Sequence, residues 1–160
     1  PQFTSIHFVR GKNKMRKLFL IAMSMLTCFF CCISASAPDK TTLLKNYFKT
    51  TFNIEISQLK HCYIFIDLDY CSSCKQSIVP TINSIKENKN ITVVACFKRK
   101  SSKKLLEQIT FKNILVDKKS YFYSLDIFPN KNALIITEKG KISSIEEFTI
   151  YSKEKIDLLF

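Results

Sequence analysis

A chain of 160 residues with 46% hydrophobic residues, two Gly and four Pro has room for one folded domain, and it is neither collagen-like nor a disordered linker. Two His argue against a multi-His metal centre, and Gly11 and Gly140, the only glycines, exclude both a GxGxxG loop and a P-loop. The formal net charge of +12 rests on 22 Lys and only three Arg (Arg10, Arg16, Arg99); nucleic-acid surfaces enrich Arg, so no nucleic-acid partner is expected, and the surplus reads as a solvated Lys-rich surface or, alternatively, a surface for an acidic partner.

Residues 1–14 carry no Met and no clear pattern; they read as an upstream extension, with Met15 the natural start. Residues 15–37 follow the order of a secretory signal peptide: a basic pair (Arg16, Lys17), an apolar run from Leu18 to about Ile33, then Ser34-Ala35-Ser36-Ala37. Leu18–Ala37 is also just long enough to be an uncleaved membrane anchor, and Leu26-Thr27-Cys28 faintly resembles a lipobox. All three readings export the domain, to the periplasm or the outer face of a bacterial membrane, with residues 18–37 as the segment that would anchor it. Cys28, Cys31 and Cys32 read as small apolar residues of this leader. Cys62, Cys71, Cys74 and Cys96 remain in the exported part, where an oxidising compartment permits disulfide chemistry.

Residues 38–160 form one domain, with 20 basic and 13 acidic residues. Thr41–Thr51 places Leu43, Leu44, Tyr47 and Phe48 on one helical face. Tyr63–Leu68 is strand-like. Cys74–Lys89 carries Ile78, Val79, Ile82 and Ile85 at helical spacing, interrupted by Pro80. Ile91–Phe97 reads as a strand buried on both faces. Ser101-Ser102 is expected to N-cap a helix over KKLLEQIT. Asn113–Val116 is a short strand and Tyr121–Leu125 a helical turn. Ala133–Thr137 and Lys141–Ile145 form a hairpin about Glu138-Lys139-Gly140. Ser152 is expected to cap a last helix with Ile156 and Leu159 inward. The alternation predicts an α/β fold: a central mixed sheet, mainly parallel, with helices on both faces.

The chemistry-bearing motif is Cys71-Ser72-Ser73-Cys74, which follows the strand YIFIDLD and opens a helix. Unpaired N–H groups and the dipole at a helix N-terminus favour an anion. Such placement lowers a Cys pKa from about 8.5 to roughly 3.5–7.5, making Cys71 the nucleophile. Cys74, one turn deeper, is placed to resolve a mixed disulfide. The competing readings are a static disulfide and a zinc site. Zinc needs two more ligands, and only His61 and Cys62 offer a pair, at the far end of the same strand, on the order of 30 Å away. No metal and no cofactor beyond the Cys71–Cys74 pair is expected.

Taken together, YIFIDLDYCSSCKQSIVP, ITVVACF and ILVDKKSYFYSLDIFPNKNALIITEKGKI resemble the thioredoxin-like superfamily, in particular its exported TlpA/ResA-type thiol-disulfide oxidoreductases. Tyr70, Cys71, Cys74, Lys75 and Pro80 echo that family's aromatic-CxxC-Lys-helix-Pro pattern. Asp117, Pro129, Leu134–Ile136 and Gly140-Lys141-Ile142 echo its later block. The resemblance spans about residues 60–145. It implies a thioredoxin-like three-layer fold with the CxxC at a helix N-terminus. It also implies disulfide exchange with exported client proteins and a redox partner, with reduction the expected direction. A non-catalytic binding module with a fixed disulfide is the alternative.

Some positions depart from the family. Tyr70 replaces the usual Trp. Phe65 stands where the buried proton-accepting acid is usual, leaving Asp67 either as a proton relay or as a turn and capping residue. Asp69 opposes a thiolate and Lys75 favours it. Pro129 lies two residues from the position of the family's cis-proline, so either the loop is longer or Pro129 is an ordinary trans proline. Cys96 ends the neighbouring strand at the same edge as Cys71: it is either a third redox thiol or a buried small residue. The Thr-x-x-Cys of peroxiredoxins is absent, since Leu68 stands in the Thr position, which argues against peroxidase activity.

Overall fold

The segment HCYIFID, strand β1 (His61–Asp67), is buried at all seven positions, which requires cover on both faces. The computed structural model describes residues 38–69, 72–128 and 132–160, the side chains of 72–76 excepted. The chain divides into two units between Ala37 and Pro38, and all described residues belong to the second. Beside β1 run β2 (Ile91–Cys96) and, outside it, β3 (Ile114–Asp117), all parallel. On the other side, β4 (Ala133–Glu138) and β5 (Lys141–Glu147) are antiparallel. The sheet is thus mixed, in the order β3-β2-β1-β4-β5.

The two-residue period of the strands sorts the core onto two faces. Cys62, Ile64 and Ile66 of β1, with Ile91, Val93 and Ala95 of β2, pack against Ile78, Ile82 and Ile85 and against Ile156. Ile78 and Ile82 lie on helix α2, whose backbone spans Ser72–Ser84, and Ile85 follows its end. Ile156 lies on α4 (Ser152–Leu159). Tyr63 and Phe65, with Val94 and Cys96, face Leu44, Tyr47 and Phe48 of α1 (Lys40–Phe52). Helices therefore cover both faces, as the alternation predicts. Phe65 is the hub of the α1 side: its ring centroid lies 4.9 Å from Phe128, 5.6 Å from Phe122, 5.9 Å from Tyr47 and 6.0 Å from Phe48. Such offset and edge contacts add to the burial itself.

Three local expectations change. Pro80 does not interrupt α2, which continues to Ser84; Pro80 itself is exposed. The expected helix over KKLLEQIT has only one regular turn, α3 (Lys103–Leu106), preceded by a 3-10 turn at Lys100–Ser102. Ser102 makes no cap, because its hydroxyl bonds Asp69 instead. The chain then tightens: the N–H groups of Gln108 and Ile109 bond the carbonyls three residues back. Finally, Ser152 is the first residue of α4 and makes no side-chain cap to it; its Oγ accepts from the Thr149 N–H at 2.9 Å.

The hairpin follows its sequence signal. Lys139 (φ 52°) and Gly140 (φ 67°) both occupy the left-handed region, which matches the twist of the strands they join. A Cβ at Gly140 would lie 2.7 Å from Gln58 Nε2. Among the described residues, no helix is long and apolar enough to cross a membrane; the leader, 15–37, lies outside them.

Candidate functional site

Parallel strands deliver their C-terminal ends to one edge of a sheet, where α/β proteins place their chemistry. Here β1 ends at Asp67, β2 at Cys96 and β3 at Asp117. The register pairs Asp67 with Cys96 and Cys96 with Asp117, so the three stand in a row across the sheet. All three are buried. Asp67, Cys96 and the α1-side residue Phe65 share one strand parity.

Two buried carboxylates at one sheet edge require donors. Tyr123 supplies one to Asp67: its hydroxyl donates to Oδ1 at 2.6 Å. The same oxygen accepts the Asp69 N–H at 2.8 Å. The Asp67 N–H in turn donates to Asn132 Oδ1 at 2.9 Å, fixing the chain just before β4. Asp117 accepts from the Tyr47 hydroxyl at 3.2 Å, from the Phe122 N–H at 2.7 Å and from the Lys119 N–H at 3.1 Å. That last set folds the Tyr121–Ser124 turn back over the strand end and brings Tyr123 to Asp67.

Cys96 sits between the carboxylates and shares a hydrogen bond with Tyr123. Burial pushes its thiol up to about 12; the Tyr123 bond pulls it down, and the charges of Asp117, Asp67 and Asp69 push it up again. At neutral pH Cys96 therefore keeps its proton. Burial and the neighbouring Asp67 also raise Tyr123, and burial and Asp117 raise Tyr47, so both phenols stay neutral donors.

Asp69 has a different task. Its carboxylate accepts the N–H groups of Lys98 and Arg99 and the Ser102 hydroxyl, the last at 2.5 Å. Partial burial raises its pKa, but these bonds and the Arg99 charge outweigh that and leave it below the usual carboxylate value. Asp69 thus stays ionised and ties the β1–α2 loop to the turn after β2.

The structure brings Asp67 and Cys96 together through Tyr123, and gives Asp67 the turn role while leaving it in a buried hydrogen-bonded chain. Cys74 and Lys75 are the third and fourth residues of α2, by backbone. Tyr70, Cys71 and Pro129 lie outside the described residues. At the other end of β1, Cys62 is a buried free thiol pushed up to about 12 by burial. His61 Nε2 is engaged by Thr92 Oγ1 at 2.8 Å. Among the described residues, no three His, Cys, Asp or Glu side chains form a group able to hold a metal ion.

Sequence reasoning passed over Tyr123, Tyr47, Asn132 and the site role of Asp117. One signal was available: Asp67 and Asp117 both close apolar strands of a parallel set, so both had to meet at one edge and find donors there. Comparison with known proteins adds no family to this geometry: no protein-family model matches the chain, and no curated protein matches it.

Proposed function

We propose that the chain is an exported thiol-disulfide oxidoreductase with a thioredoxin-like fold, working through Cys71 and Cys74 as a reductant of client proteins. The observation that carries this reading is the junction of β1 and α2. In a five-stranded mixed sheet, the central parallel strand runs to Asp67 and a helix starts at Ser72, which supports a helix N-terminus at the CSSC segment. There the dipole and free N–H groups favour a thiolate on Cys71.

In the cycle we infer, the Cys71 thiolate attacks a client disulfide. A Cys71–client S–S bond forms, the client S–S bond breaks, and the departing client sulfur takes a proton. Cys74 then gives up its proton and attacks the Cys71 sulfur, releasing the second client thiol. The client disulfide is reduced to two thiols, the pair is oxidised, and an external dithiol partner restores it. Asp67 is the buried carboxylate nearest to Cys71 in sequence and the natural proton acceptor for the resolving step. The ionised Asp69 disfavours a very acidic Cys71, which supports reduction over oxidation.

Insulin reduction by the full chain, with the pH profile of Cys71 alkylation, tests the reading. Turnover that is lost in Cys71→Ser, with mixed disulfides accumulating in Cys74→Ser, is the expected result. A pair that neither turns over nor alkylates below neutral pH would establish instead a binding module with a fixed disulfide.

A further inference from the structure

Lys98, Arg99, Lys100, Lys103 and Lys104 fall within seven consecutive positions that contain no acid. Lys118 and Lys119 directly follow β3. All seven side chains are exposed. Because β2 and β3 run parallel to β1, both basic segments leave the sheet at the edge where β1 leads to Cys71. On one side the contact is direct, since the Lys98–Ser102 turn is bonded to Asp69, two residues before Cys71.

What sets these cations apart is their clustering on two loops at one sheet edge. Lys112, Lys153 and Lys155 are paired with Glu87, Asp157 and Glu146. Of the seven at this edge, only Lys103 has an ion-pair partner among the described residues, Glu107 at 3.9 Å. Three acids stand at the same edge, Asp67 and Asp117 buried and Asp69 bonded to the turn, and the seven cations outnumber them. Two of the cations are held in place over rings. Lys98 Nζ lies 4.3 Å from the Tyr123 centroid and Lys119 Nζ 5.8 Å from that of Tyr121, itself 40% exposed. An ammonium steadied by an aromatic face loses less freedom on meeting a partner.

We propose that this rim is the docking surface for an acidic polypeptide segment, so that the clients of the Cys71–Cys74 pair carry their disulfide beside Asp and Glu residues. The inference rests on the redox reading above. A macromolecule must reach this edge for exchange to occur, and the unpaired cations flank that approach on two loops. Opposite charge within a Debye length speeds encounter and discriminates against like-charged partners.

The test uses the full chain in a nonionic detergent and two peptides with the same disulfide loop, one flanked by Asp and Glu, the other by Lys. At about 20 mM salt the acidic peptide should exchange at least about tenfold faster, and the gap should close at about 500 mM. The combined Lys100→Glu, Lys104→Glu, Lys118→Glu variant should abolish the preference while exchange with neutral hydroxyethyl disulfide stays unchanged. Equal rates for the two peptides overturn the proposal. If neither peptide exchanges, the redox reading fails, and the rim is judged by fluorescence anisotropy of the acidic peptide with its cysteines replaced by Ser. Salt-sensitive binding lost in the triple variant upholds it; equal binding of acidic and basic peptides overturns it. Binding confined to micelles doped with phosphatidylglycerol, with no choice between peptides, assigns the rim to a membrane surface and also overturns it.

Discussion

Lowering the pH from 7 to 5 should remove about 2 kcal/mol of stability through His61 alone. Its imidazole is buried at the start of β1, tilted against Tyr63 with centroids 4.5 Å apart and bonded to Thr92 Oγ1, which also accepts from Asn113 Nδ2 at 2.8 Å. Burial lowers its pKa from 6.5 to about 4. The folded value is the lower one, so the unfolded chain takes the proton first. The stabilisation is complete above pH 6.5 and is lost as the pH falls toward 4. At about 1.4 kcal/mol per pH unit the whole gap is worth about 3 kcal/mol, of which about 2 kcal/mol falls between pH 7 and 5. Urea melts at pH 7, 6 and 5 should be run on the chain and on His61→Gln, with His7→Gln in both to remove the other imidazole. Carboxylates titrate alike in the two proteins, so the difference in slope belongs to His61. Parallel stability–pH curves would refute the argument and mean that a charged imidazole is accommodated beside Thr92.

Tyr123→Phe removes the O–H donor from buried Asp67 and should cost about 1.5–3 kcal/mol in a urea melt; a loss under about 0.5 kcal/mol would mean that Asp67 finds another donor. Phe48→Ala empties a fully buried site between α1 and the sheet and should cost about 3–5 kcal/mol by the same measurement. Gly140→Ala combines a left-handed backbone with a Cβ against Gln58, and a loss of about 1–2 kcal/mol is expected. An unchanged midpoint there would show that Gln58 swings aside and that Ala tolerates the turn.

What the sequence disclosed follows from how local each signal is. β2 was legible because an unbroken β-branched run has few other uses, and all six of its residues are buried. The hairpin was legible because Gly140 stands where a tight turn needs a positive φ. The α3 segment was misjudged, since the Ser102 hydroxyl has two suitors: the helix end next to it and a carboxylate 33 residues earlier in the chain, and the distant one wins. The same holds for the buried chain at the strand ends. Tyr123 meets Asp67 across 56 residues and Tyr47 meets Asp117 across 70, pairings that no local pattern encodes. Phe65 shows a finding of the fold itself: the two-residue period of β1 puts it with Tyr63 on the α1 face, at the centre of the aromatic cluster. The CxxC was the plainest motif of all, and its meaning comes from the strand before it and the helix after it.

The grip of Asp69 on the turn after β2 makes two loops, far apart in sequence, into one mechanical piece. The amides of Lys98 and Arg99 are held by a carboxylate two residues before Cys71. If the proposed redox cycle holds, any backbone adjustment that accompanies it at the CSSC segment must either carry the 98–102 segment along or let go of it. Letting go would release two N–H groups to solvent, so hydrogen exchange at residues 98 and 99 becomes a remote gauge of motion at the β1–α2 loop, readable without placing a label near the cysteines.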